Sequence, residues 1–182
     1  MSPTSHRSSR GQGTTAYVAV AVLLTLLLLA NMTLIFLFSA EGREASGDRS
    51  GRITRLVVNG LYPDLDTYPE EQREEIRRSV HHAVRKLAHF SEFGLLGVLS
   101  AAWLFHMDSR RLVLNRWVKA GISAAFCFLY AVSDEVHQIF SGRGPAVSDV
   151  LIDTSGALAG IGALLLILWI ARWRRRKRGV YV

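Results

Sequence analysis

Residues 85–97, RKLAHFSEFGLLG, decide how the rest of the chain is read. From Phe93 onward the residues turn apolar and stay so to Phe105, as in a helix that crosses a bilayer. Yet Arg85, Lys86, His89 and Glu92 stand at the threshold of this run, Glu92 directly against it. A charged group near the bilayer centre costs at least about 2.5–3.5 kcal/mol, and less toward the interface. Such residues must therefore meet one another, a neighbouring helix or water. The fold follows from finding what they meet.

The chain has 182 residues, enough for one domain and short for two. Its hydrophobic content of 49% accompanies a net charge of +7, an unusual pairing for a soluble protein. A basic chain suggests nucleic acid, but the excess here is not spread over a folded face. Much of it is the run RWRRRKR at 172–178, directly after an apolar segment. That position marks a membrane flank and anionic-lipid contact, so membrane lipids are expected partners and nucleic acid is not. Cys127 is the single cysteine, which excludes an intrachain disulfide and any cysteine-based metal spacing.

Four segments read as transmembrane helices: 17–40, 87–105, 117–132 and 150–170. The first contains no charged residue, and its apolar core exceeds the about 7–15 residues of a signal peptide. Phe38 also suits a cleavage site at Ala40 badly, so this segment is read as a retained anchor. The third is clean after Lys119 but short, and a full crossing draws Asp134 and Glu135 into its far end. The fourth ends in Trp169 and Trp173 beside the basic run, as interfacial anchors do. The fold class is therefore all-α, a polytopic membrane protein with four transmembrane helices plus an extracytoplasmic amphipathic helix.

That extra helix is expected within residues 41–85. The stretch EGREASGDRSGR at 41–52 is rich in Gly, Ser and charge and is expected to be flexible. Thr67-Tyr68-Pro69-Glu70 has the form of a capping box, and Ile76, Val80, Ala83, Val84 and Leu87 recur at helical spacing. These predict an amphipathic helix over about 69–85, on the membrane surface, leading into the second span. The HisHis pair at 81–82 is read as surface.

An even number of spans puts both termini on one side. With the termini cytoplasmic, 1–16 and 171–182 are cytoplasmic tails and the inner segments hold 12 of the 22 Lys and Arg residues, close to the span ends. Fourteen of the 15 acidic residues then lie outside, with Asp108 as the exception.

Under this topology Lys86, His89 and Glu92 sit at the outer end of the second span. Asp134, Glu135 and Gln138 sit at the outer end of the third, Arg143 in the following connection, and Asp149 and Asp153 open the fourth. Three helices thus bring ionisable residues to one membrane level. At 100° per residue His82, Lys86, His89, Glu92 and Leu96 occupy a stripe about 120° wide. Gly156 and Gly160 continue the Asp149–Asp153 stripe and give a neighbouring helix room to pack closely. Taken singly each residue has a plainer reading: Lys86 snorkelling, His89 as a packing hydrogen bonder, Asp149 as a helix cap. Taken together, the alternatives are a structural network tying three helices and an outward-facing polar pocket.

The blocks RKLAHFSEFGLLG and SDEVHQIFSGRGPAVSDVLIDTSGALAG closely resemble the two signature blocks of the VanZ-like family, known for teicoplanin-resistance proteins. The resemblance spans about residues 55–170 and rests on Arg85, Lys86, His89, Phe90 and Glu92; on Asp134, Glu135 and Gln138; on Gly142 and Arg143; and on Asp149, Asp153, Gly156 and Gly160. Phe93 stands where the family commonly has tyrosine, so a role for that phenol does not carry over. The resemblance implies a multi-pass protein of the bacterial cytoplasmic membrane, with 86–170 as a three-helix VanZ-like core. It further implies a lowered susceptibility to lipoglycopeptides that act outside that membrane.

Two functions follow. In the first, the pocket binds a lipoglycopeptide, a lipid headgroup or a lipid-linked cell-wall precursor without transforming it. In the second, a membrane-embedded enzyme acts on a lipid-linked or phosphate-bearing envelope substrate. His89 with Glu92, Glu135, Asp149 and Asp153 would then supply acid–base groups or ligands for a divalent cation, and Lys86 and Arg143 would hold a phosphate. No nucleophile elbow, phosphate loop or established metal motif stands in the sequence. The expectation is accordingly a non-enzymatic protein with no cofactor and an unassigned oligomeric state.

Overall fold

A computed structural model describes residues 5–40, 43–111, 114–140 and 147–178. Among them the chain is all-helical, with no strand. Five α-helices follow in order: α1 (Ser5–Ala40), α2 (Arg43–Leu61), α3 (Glu70–Arg111), α4 (Arg116–Phe140) and α5 (Val147–Lys177). One 3-10 turn, Leu65–Thr67, separates α2 from α3.

Three of these helices contain segments long and apolar enough to cross a membrane: Gly13–Ser39, Glu70–Met107 and Val147–Lys177. Their outward faces are apolar and exposed, with Leu23, Leu26, Leu166 and Ile167 each more than half accessible. That is how a helix looks when lipid is its solvent. α4 is not among the three. Its 25 residues would reach about 37 Å, but Arg116 and Lys119 at one end and Asp134 and Glu135 at the other shorten its apolar stretch. The count from length and composition is thus three, one fewer than the sequence suggests.

Two expectations for the segment before the second span are corrected. Residues 43–61 form a helix, so the part of 41–52 that is described, expected to be flexible, is helical. The reason is tertiary: Thr54 and Val58 are buried, α2 lies against α3, and the Thr54 hydroxyl hydrogen-bonds with His81 Nδ1 at 3.3 Å. Packing against a neighbour overrides weak helix propensity. His81 is accordingly half-buried, while His82 is exposed. The capping box does not form either. Thr67 donates its hydroxyl to the Asp64 carbonyl at 2.7 Å, and the first bond of α3 runs from the Arg73 amide to the Pro69 carbonyl at 3.0 Å. Glu70 instead pairs with Arg73 across the first turn.

The amphipathic helix expected over 69–85 and the span after it are one uninterrupted helix of 42 residues. At about 63 Å this is twice the thickness of a hydrocarbon core, so the charged first half of α3 extends beyond it. α3 is also the hub of the fold, packing against α1, α2, α4 and, most extensively, α5. The core where they meet contains Ile35 of α1, Phe93 and Leu96 of α3, Cys127 and Ala131 of α4, and Ala157 of α5. α1 likewise begins earlier than its apolar stretch, at Ser5 rather than near residue 17.

Candidate functional site

The site is built around the closest helix pair. α3 and α5 meet through glycines: a methyl group at Gly97 would strike the Ala157 carbonyl, one at Gly156 the Phe90 carbonyl, and one at Gly160 the Gly94 carbonyl. At these positions backbone packs on backbone. Between helices in lipid there is little hydrophobic driving force, so such dispersion contacts and interhelical hydrogen bonds hold the bundle. Gly156 and Gly160 were visible as a stripe in the sequence. Gly94 and Gly97 were not singled out, although both lie in the stretch RKLAHFSEFGLLG.

One turn before Gly156 on α5, the same closeness buries Asp153, which is 2% exposed. Its Oδ1 lies 3.7 Å from Nδ1 of His89, on the facing side of α3. Asp134, at the end of α4 that approaches this seam, completes the group. One ligand-type atom from each of His89, Asp134 and Asp153 lies within 4.8 Å of the other two. Asp134 is held by its own helix: Gln138 Nε2 donates to its Oδ2 at 2.9 Å. Asp134, Glu135 and Gln138 are 5%, 8% and 3% exposed, burial that polar residues reach only when other groups enclose them.

Further carboxylates surround this group. Asp134, Asp149, Glu92 and Glu135 all lie close enough to Asp153 to repel it. Asp149 sits in the first turn of α5, where the helix dipole favours a negative charge, and accepts a hydrogen bond from the Ser148 hydroxyl at 3.2 Å. Glu92 is half-buried, and its backbone carbonyl accepts a 3.4 Å hydrogen bond from Asn31 Nδ2 of α1. Lys86, by contrast, is exposed on α3. Arg143 lies outside the described residues.

α1 supplies a fourth wall that the sequence reading did not include. Besides Asn31, its Met32 carbonyl accepts a hydrogen bond from the Tyr130 hydroxyl at 2.7 Å, and Phe36 stacks on His137 with ring centroids 4.5 Å apart. Near its other end, Thr25 accepts a bond from the Trp103 indole at 2.9 Å, and Tyr17 stacks on His106. The single amide within 17–40 was the available signal, since Asn31 would otherwise face lipid unsatisfied. At the far end of the bundle Trp169 stacks on Trp173, and Lys177 lies over the Trp173 ring at 4.1 Å, an arrangement suited to a membrane interface.

No curated protein and no solved structure matches this chain. A family model does: that of VanZ/LLP1, over residues 22–170. The matched span takes in most of α1 and all of α3, α4 and the seam, including every residue of the buried acidic group. With its apolar, lipid-suited helices, the chain is a membrane protein and belongs to the VanZ/LLP1 family.

Proposed function

We propose that this protein sits in the bacterial cytoplasmic membrane and presents an outward-facing polar site that binds an envelope molecule. The occupant is a lipoglycopeptide of the teicoplanin type, a lipid headgroup or a lipid-linked wall precursor. The observation that carries the reading is the meeting of His89, Asp134 and Asp153, from three helices, at one end of the bundle. Bringing buried carboxylates together is expensive, and a purely structural tie would pair them with Lys or Arg. The orientation rests on α4 as a fourth span and on both termini being cytoplasmic, which puts this end of the bundle on the outer face.

The test is drug susceptibility. The chain is expressed in a susceptible bacterium, and teicoplanin and vancomycin sensitivity are measured for the wild type, Glu92→Gln, Glu135→Gln and Asp149→Asn, with membrane abundance followed in parallel. Protection lost at normal abundance supports the site, whereas variants that insert normally and keep full protection refute it. Topology has its own test: Gly47→Cys in a Cys127→Ala background should react with a membrane-impermeant thiol reagent added outside. Reaction only with a reagent delivered inside would reverse the orientation.

The His89–Asp153 pair favours a second reading, an embedded enzyme acting on a lipid-linked or phosphate-bearing substrate. An imidazole beside a carboxylate can hold and pass a proton. Phosphate release from a lipid phosphate by the purified wild type, absent in His89→Ala, would move the assignment to this reading.

A further inference from the structure

We propose that His89, Asp134 and Asp153 form a binding site for one divalent transition-metal cation. This inference goes beyond the envelope-ligand reading and does not require it.

The first argument is geometric. The three residues come from three different helices, yet one donor atom of each lies within 4.8 Å of the others. A cation placed between His89 Nδ1 and Asp153 Oδ1, which are 3.7 Å apart, would lie about 2.0–2.2 Å from both at an angle of about 115–135°. That is the range of metal–nitrogen and metal–carboxylate bonds. The separation is too long for a direct hydrogen bond and suits a shared ion.

The second argument is the state of Asp153. Its side chain is almost wholly buried, and among the described residues its Oδ1 has no hydrogen-bond partner. A buried acceptor left unsatisfied costs about 1–3 kcal/mol, and more when it is charged. This oxygen is the one that lies 3.7 Å from the imidazole Nδ1 of His89. Among the described residues four other carboxylates repel Asp153, so the position calls for positive charge. A divalent cation supplies that charge and fills the vacant acceptor position in one step.

The remaining contacts fit the same role. Gln138 Nε2 donates to Asp134 Oδ2 at 2.9 Å, which helps to hold that carboxylate in place. Ligating carboxylates are characteristically oriented by such outer partners. One imidazole and two carboxylates suit zinc, manganese or iron better than magnesium, which favours oxygen and water. Three protein ligands would leave at least one coordination position open.

The experiment uses tag-free, full-length protein in detergent, stripped with a chelator and dialysed against Zn2+, Mn2+ or Mg2+. Bound metal is counted by mass spectrometry, and Co2+ loading is followed by visible absorption. One Zn2+ or Mn2+ per wild-type chain is expected, with binding weakened at least tenfold in His89→Ala and Asp153→Asn and retained in Lys86→Ala. A wild type that binds no cation, or binds equally well in Asp153→Asn, overturns the site. The wild-type stoichiometry alone decides the matter if a variant does not fold. The two proposals fail separately: protection without bound metal removes only the cation, and bound metal without protection removes only the envelope function.

Discussion

α3 meets α5 and α1 in opposite ways. Against α5 it offers glycine and a bare backbone, so the two helices approach until Cβ-sized gaps disappear. Against α1 it makes hydrogen bonds at intervals through side chains of either helix, namely Trp103 to Thr25, Asn31 to the Glu92 carbonyl, and His106 to the Tyr17 carbonyl. The first contact is continuous and intolerant of added volume; the second is a set of separable tethers. The acidic group lies at the first. Asp153 is buried because it sits on the helix that α3 cannot be levered away from, whereas the exposed apolar face of α1 is free to face lipid.

The sharpest way to break this contrast is Gly160→Val. Its side chain would collide with the Gly94 carbonyl, a backbone atom that cannot rotate aside. Overpacking typically costs about 1–3 kcal/mol, and a backbone obstacle places this change at the upper end or above. Membrane abundance should fall sharply, and the melting midpoint of protein that survives in detergent should drop. Wild-type abundance and melting in this variant would mean that α3 and α5 are not in contact here.

Next in size is Asp153→Asn, which keeps the shape of the side chain and removes its charge. If Asp153 only ties helices together, the change should destabilise the bundle, since breaking a buried pair costs about 3–5 kcal/mol. If it serves the envelope ligand, the bundle should stay folded while protection from teicoplanin is lost. Thermal melting in detergent and drug susceptibility, measured on the same variant, separate the two.

The parts of this arrangement that were legible in the sequence are those that follow from local spacing. Period-3.6 patterns and apolar length gave the helices of α1, α3 and α5, and the spacing of Asp149, Asp153, Gly156 and Gly160 put them on one stripe. Helix α2 was not legible, because its charged, Gly- and Ser-containing start reads as linker, whereas its buried residues Thr54 and Val58 belong to packing against α3. The capping box failed for a related reason: Thr67 is drawn into the preceding 3-10 turn, and its hydroxyl is already committed to Asp64. Which acids cluster was only half legible. Spacing places a residue on a face, but whether Asp134 or Glu135 reaches His89 depends on how α4 is rotated against the seam, and single-helix periodicity does not contain that angle.

A smaller effect is expected on the α1 side. Asn31→Ala removes one interhelical bond and leaves a backbone carbonyl that still holds its helical partner. Bonds of this kind between membrane helices average about 0.6 kcal/mol and reach about 1.7. A melting shift of a few degrees at full abundance is the expected result. Loss of the protein from the membrane would show that α1 is as integral as α5.

The smallest change makes the comparison a statement about place rather than about glycine. Gly162 lies one turn's half-step beyond Gly160 on α5, yet an added methyl there meets no atom within 4 Å. Gly162→Ala should therefore be tolerated. It should even stabilise the helix by about 0.5–1 kcal/mol, because alanine loses less conformational freedom than glycine on becoming helical. Two glycines two residues apart on one helix would then respond in opposite directions to added bulk, with Gly160→Ala lowering the melting midpoint and Gly162→Ala raising it or leaving it unchanged. Equal losses at both positions would mean that α5 needs glycine for flexibility along its length, and the tight seam with α3 would cease to be the reason Asp153 is buried.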